Sequence, residues 1–480
     1  MSLSSIIEFI KRSNLTHDLL ERTKRDDILI IQGGTRSSNS LVVSSIAKAN
    51  NSPLFVIAPT IDEGNRWFNL LQTMGWSTTH LYPTSEVLPY DKNGLTNEIA
   101  WGQLQVISEL INSNINNNDL AIVSTERSLQ PHLPPPSILK SICIELTKGK
   151  EIELDLLSEL LTSLGYERTT TTESEGNWSR RGDIIDIYPV SSELPLRLEF
   201  FGNEIEKIKE FDPTTQRSLD NINSVCITPT GIAPIIASEL RRNLPNYLDK
   251  LMNEEDFDAL ISGSTPNGIN RYTNLIWKNP CSLIEYIPKN SIIVIDDKHR
   301  GQKLAGQWVN HAIQNYNENL DKLKLEKSKA KTIWPPTMHK TIDEVNIQLS
   351  DFKVIELNEL RNISDKTPNS FDLSTRDTNI IANNFSKISK EMKTYQAKRI
   401  RTWILSAQPS RAVALLHEHD IYAKFIPNTK DHQSIELIGK EFTPIALKSN
   451  SNSDLEGFFI PAFNTLLITD KEFFGQSNII

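Results

Sequence analysis

The chain has 480 residues, with 51 Lys and Arg against 60 Asp and Glu and a formal net charge of −9. That acidity argues against a broad nucleic-acid-coating surface, which needs a basic stripe to displace counterions. The length predicts roughly three or four domains of about 100 to 200 residues, and no apolar run approaches the roughly 18 residues of a membrane span.

The N-terminal MSLSSIIEFIKRSNL reads as an amphipathic helix on Ile6, Ile7, Phe9 and Ile10. Glu8 interrupts its short apolar core and no small-residue cleavage site follows, so it is unlike a signal peptide and a cytoplasmic location is expected. ILIIQGG, Ile28 to Gly34, predicts a buried strand ending in a glycine turn. The helix LVVSSIAKAN, the strand PLFVIAPT and a helix over Glu63 to Met74 follow, the opening order of a P-loop α/β fold. Phosphate binding there needs glycines for close backbone approach, a lysine on the β/γ-phosphates and a Ser or Thr on Mg²⁺. The loop reads GGTRSSNS, Gly33 to Ser40. Gly33, Gly34 and Ser40 stand in place, Asn39 stands where the lysine belongs, and Arg36 and Ser38 replace glycines. SIIVIDDKH, Ser291 to His299, predicts a buried strand delivering Asp296 and Asp297 where a Walker B pair would hold Mg²⁺. Acidic pairs are common at strand ends, and without the lysine this one reads as a relic.

HLPPPS, His132 to Ser137, predicts a linker out of the first domain. Beyond it, residues 131–212 form an inserted α+β domain, including a helix over Asp155 to Leu164 that is ended by Gly165. Within it, Ile184, Ile185, Ile187 and Tyr188, then Leu196, Leu198, Phe200 and Phe201, then Ile205 and Ile208 predict three strands, with Arg181, Arg197 and Phe201 expected on adjacent strands. Arginine forks and aromatics suit a recognition surface. A half-buried sheet with charges merely solvated on its outer face is the competing reading.

The chain then returns to the first domain through Ile232 to Leu251 and the 291–299 strand, giving residues 213–345, up to a break at Trp334 to Pro336. Residues 346–450 read as a smaller α/β domain. It has helices near Phe385 to Arg399 and Arg411 to His419, a strand through Trp403, and a linker at Ser449 to Ser453. Residues 451–480 read as a further linker. His417 and His419 fall on different helix faces, and Cys143, Cys226 and Cys281 lie far apart in no metal-like pair, so no metal is expected and the thiols read as reduced and structural.

RGDIIDIYP at Arg181 to Pro189, its spacing to LRLEFF at Leu196 to Phe201, and EFDPTTQRS at Glu210 to Ser218 closely resemble a module shared by the repair protein UvrB and the transcription-repair-coupling factors of the Mfd family. LYPTSEVLPYDKNG, with Tyr82 and Tyr90, has too few aromatics for the damage-inserting hairpin of UvrB. LPYD at Leu88 to Asp91 and GFFIPAFNTLLITDKEFFG at Gly457 to Gly475 are similar to Mfd, the latter to the segment preceding its RNA-polymerase-interacting domain. The resemblance implies a degenerate P-loop, helicase-like (UvrB-like) domain with an inserted UvrA-binding domain, followed by a smaller α/β domain. Carried over residue by residue, the UvrA-binding positions are Arg181, Arg197 and Phe201.

The implied function is recruitment of UvrA in transcription-coupled nucleotide-excision repair by a chain that is catalytically inert alone. No cofactor is expected here, since ATP and Mg²⁺ belong to motor domains of the full-length family. RNA polymerase and duplex DNA would be met through domains this chain is expected to lack, whether as a fragment or as a truncated product, and no membrane partner is expected. An ATP-dependent UvrB-type helicase or damage-verification protein, and a scaffold without UvrA binding, are the alternatives.

Overall fold

The computed structural model describes residues 3–24, 28–85, 96–111, 118–242, 254–266, 268–277, 281–325, 339–358, 369–378, 380–428, 435, 441–449 and 454–475. The sequence expectations for Leu88 to Asp91, Tyr90, Trp334 to Pro336 and residues 450–453 and 476–480 concern residues outside these.

Chain order explains the architecture. Strands β1 (Leu29–Gln32), β2 (Leu54–Ala58), β3 (Thr78–Leu81) and β4 (Leu120–Thr125) begin a parallel sheet. The chain then leaves through β5 (Ile144–Thr147) and builds a second sheet. Its strands are β6 (Glu167–Arg168), β7 (Asn177–Arg181), β8 (Ile184–Ile187), β9 (Leu196–Phe201), β10 (Glu204–Phe211) and β11 (Ser218–Ile222). It returns through β12 (Ser224–Ile227) to complete the first sheet with β13 (Ile292–Asp296), β14 (Lys353–Asn358) and β15 (Ser370–Asp372). Strands β16 (Arg401–Ser406), β17 (Lys424–Ile426), β18 (Ile445–Lys448), β19 (Phe458–Ile460) and β20 (Thr465–Thr469) make a third sheet.

The first sheet has the order β15-β1-β14-β13-β2-β4-β3, and its paired neighbours run parallel. Every residue of β2, β4 and β13 is buried, as a parallel sheet covered by helices on both faces requires. The inserted sheet, β11-β10-β9-β8-β7-β6, is largely antiparallel and alternates inward and outward side chains. Its inner face carries Trp178, Ile185, Ile187, Leu196, Leu198 and Phe200 against the helix Leu154–Ser163. The neck is a separate two-stranded ladder, β12 against β5.

The fold class expected from the sequence is the one found, while several boundaries move. The inserted unit ends after β12, not at 212, because β11 pairs with β10 and β12 pairs with the entry strand. The stretch 131–142 stays with the first body: Leu133 bridges to Cys281, and Leu139 packs in that body's core. Strands β14 and β15 belong to the first sheet, so the smaller unit does not start at 346. Residues 458–474 are no linker, since β20 lies beside β16 in the third sheet and the helix Asp470–Phe474 buries Phe473 and Phe474. The N-terminal stretch is two helices, Ser4–Lys11 and Asn14–Arg22, the second capped by the Ser13 hydroxyl. Among the described residues no helix is long and apolar enough to cross a membrane.

Candidate functional site

Two regions could carry function: the phosphate-loop position at the end of β1, and the outer face of the inserted sheet.

At the first, Gly33 adopts a φ of 69°, and Thr35 caps the helix Arg36–Ala49, accepting a hydrogen bond from the Ser38 amide. Asn39 is buried, and its Nδ2 donates weakly to the Gly34 carbonyl at 3.5 Å. A Cβ on Gly34 would stand 1.9 Å from Asn39 Oδ1, so the asparagine amide fills the concavity in which a phosphate would lie. The Ser40 hydroxyl donates back to the Ser37 carbonyl at 2.9 Å instead of facing the loop. Arg36 is paired with Glu63. The cleft outside has a volume of about 600 Å³ and is lined by Arg36 and Arg66 but also by Asp454 and Glu456. The Glu456 amide donates to Ser37 Oγ at 3.2 Å, while the Glu456 carboxylate pairs with Lys471 and Asp454 Oδ2 accepts from Asn69 Nδ2 at 2.8 Å.

The acidic pair is engaged as well. Asp296 ends β13, is buried, and accepts a 2.7 Å hydrogen bond from Trp67 Nε1. Asp297 adopts a φ of 45° and its carboxylate accepts from the Arg300 amide, so it starts the helix Lys298–Leu325. Nearby lies a group that sequence reading missed. Glu126, directly after β4, is 2 % exposed, and Lys298 pairs with Glu356 at 2.5 Å beside it. No motif marks Glu126, because its burial follows from the close approach of Gly301, where an added Cβ would lie 3.4 Å from the Glu126 Cβ. Among the described residues no group of three or more His, Cys, Asp or Glu could hold a metal ion. His417 bonds the Ala423 backbone and stacks on Tyr422, and His419 stacks on Phe385.

The inserted sheet is different, because it leaves functional groups free. Arg181 closes β7 and Phe201 closes β9; each precedes a two-residue turn whose glycine, Gly182 or Gly202, has a φ of 62°. The ladder runs Arg181, Ile184, Glu199, Lys207 across β7 to β10, and alternation puts Phe201 on the same face one step further along β9. Phe201 is 79 % exposed, so it is not a core residue. Arg181 reaches the Thr170 carbonyl with one nitrogen at 3.4 Å and is otherwise exposed.

Arg197 lies one row back and is not on the strand next to Arg181, since β8 separates β7 from β9. Its Nε and Nη2 donate to the two carboxylate oxygens of Asp186 at 2.8 and 2.9 Å, its Nη1 to the Gln216 carbonyl at 3.3 Å, and its guanidinium lies 4.8 Å from the centre of the Phe211 ring. Asp186 is 2 % exposed, and hydrogen bonding to it raises the Arg197 pKa further. The structure thus leaves Arg181 and Phe201 exposed on the same face, two strands apart and one step out of row, as separate cationic and aromatic groups. Arg197 is held beneath the turn at 212–217 as half of a buried ion pair.

Comparison with known proteins fits this geometry. The family model described as the UvrB interaction domain matches residues 144–231, from β5 to just past β12. The chain is similar to an Mfd N-terminal region. A second family model, the cyanobacterial Mfd Rossmann-like domain, matches residues 377–475, the third sheet and its helices. Transcription-repair-coupling factors from Bacillus subtilis, Haemophilus influenzae and Escherichia coli are 24%, 25% and 24% identical to it over 98%, 69% and 54% of this chain. It spans 40%, 28% and 23% of their own lengths.

Glu126 yields a pH prediction. Burial pushes its pKa up to about 7, so the folded state keeps a proton that the unfolded chain loses near the ordinary glutamate value of about 4.3. This contribution to stability is complete below about 4.3 and is lost as the pH rises through about 7. Glu126→Gln should therefore gain stability relative to the wild type between pH 5 and pH 8, on the order of 2 kcal/mol by denaturant titration. A difference independent of pH would contradict the burial argument.

Proposed function

We propose that this chain is the UvrA-recruiting module of a transcription-repair-coupling factor, acting in the cytoplasm in nucleotide-excision repair and catalytically inert by itself. The exposure of Phe201 on the same face as Arg181, on the sheet that matches the UvrB interaction domain, supports this reading most strongly. A large aromatic at the end of a well-packed strand gains nothing from folding while it faces water, and aromatic and arginine anchors supply much of the energy of protein interfaces.

In this reading Phe201 and Arg181 touch the partner. Arg197 contributes mainly by covering Asp186 and fixing the 212–217 turn, so its loss acts on folding as well as on binding.

Calorimetric titration with UvrA, paired with thermal melting of each variant, tests this. Phe201→Ala and Arg181→Ala should each weaken binding at least tenfold, about 1.4 kcal/mol or more, without lowering the melting temperature. Arg197→Ala should weaken binding and also destabilise the chain by about 3 to 5 kcal/mol, because it leaves Asp186 buried without its ion-pair partner. Wild-type affinity in the Arg181→Ala, Phe201→Ala double variant would sink the proposed interface.

Inertness rests on the filled phosphate loop. With no lysine and the Asn39 amide against Gly34, the chain should show neither saturable micromolar ATP binding nor ATP turnover. Binding at that level, or turnover abolished by Asp296→Ala, would restore the helicase alternative.

A further inference from the structure

Cys143 and Cys226, 83 positions apart in sequence, are brought together at the neck of the inserted domain. The β5–β12 ladder pairs Ile144 with Ile227 and Glu145 with Cys226, which makes Cys143, one residue before β5, a diagonal neighbour of Cys226 on the same face. Neither residue is fully buried. Their position matters as much as their proximity. Cys143 ends the helix Pro136–Ile142 and packs against the core of the first body, whereas Val225, beside Cys226, packs against the core of the inserted sheet. Both crossings of the chain between the two bodies therefore pass this pair.

We propose that Cys143 and Cys226 form a reversible intramolecular disulfide that staples the two neck strands when the chain meets a low-molecular-weight disulfide. The Cys226 thiolate attacks one sulfur of oxidised glutathione, forming a mixed disulfide and releasing glutathione thiolate. Cys143 gives up its proton to solvent, and its sulfur attacks Cys226 Sγ, displacing the second glutathione. Two thiols are oxidised and one disulfide is reduced to two thiols, so the exchange balances. Cys226 attacks first, because the neighbouring Cys143 thiol holds the Cys226 pKa below the ordinary thiol value while that of Cys143 is raised. A diagonal pair lies near the upper limit of disulfide reach, so closure draws the neck strands together. Cys281 lies elsewhere in the first body, bridged to Leu133, and is the internal control.

The purified chain, incubated with oxidised glutathione, is tested by counting free thiols and by non-reducing peptide mapping. Three thiols should fall to one, with a Cys143–Cys226 linked peptide and full recovery on adding dithiothreitol. Cys281→Ser should still form the link. Cys143→Ser should not, and should keep glutathione on Cys226. The crosslinked chain should exchange the amides of β5 and β12 more slowly than the reduced one. Retention of all three thiols, separate glutathione adducts on the wild-type cysteines, or a link to Cys281 would overturn the pairing. A correct link with unchanged exchange at the neck would overturn the stapling role.

Discussion

A carboxylate removed from water must be met by a charge and by hydrogen bonds that return what hydration supplied, and Asp186 in the middle of β8 is such a group. Arg197 meets it with a two-pronged contact, while Phe211 and the Gln216 carbonyl occupy the rest of the guanidinium. This pair locks three consecutive strands and the 212–217 turn together. Consequently the hairpin ends beyond it, with Arg181 and Phe201, project from a fixed frame. A rigid, exposed anchor loses little conformational freedom on binding, which is why such residues can dominate an interface.

The first body shows the opposite fate of a site. Its parallel sheet still delivers a glycine turn, a helix N-terminus and an acidic strand end to one edge, the geometry that phosphate chemistry uses. Each element has been absorbed into packing. Asn39 fills the turn, Ser40 bonds its own helix, Trp67 takes Asp296, and Asp297 starts the next helix.

How much of this is legible in sequence depends on whether the signal is local. Buried strands such as IIVID and LAIVST and the alternation of LRLEFF are local, and they place the fold and the inserted sheet correctly. Long-range pairing is not local. Nothing near Arg197 announces that its fork is spent on Asp186 eleven residues away across a ladder, so it reads as a free binding residue. Strands β14 and β20 are ordinary apolar runs whose sheet is chosen by their partners, hence the misplaced boundaries at 346 and 451. Cys143 and Cys226 look unrelated until β12 folds onto β5. Glu126 is buried by a glycine on a helix that arrives much later in the chain.

The most direct test of a partner surface at the hairpin ends is hydrogen exchange of the whole chain with and without UvrA, read amide by amide. Slower exchange should concentrate at the β7–β8 and β9–β10 turns, around residues 181–184 and 199–204, with β16 and β20 unchanged. Protection confined to the third sheet or to the phosphate-loop helix, with those turns exchanging as in the free chain, would contradict the account.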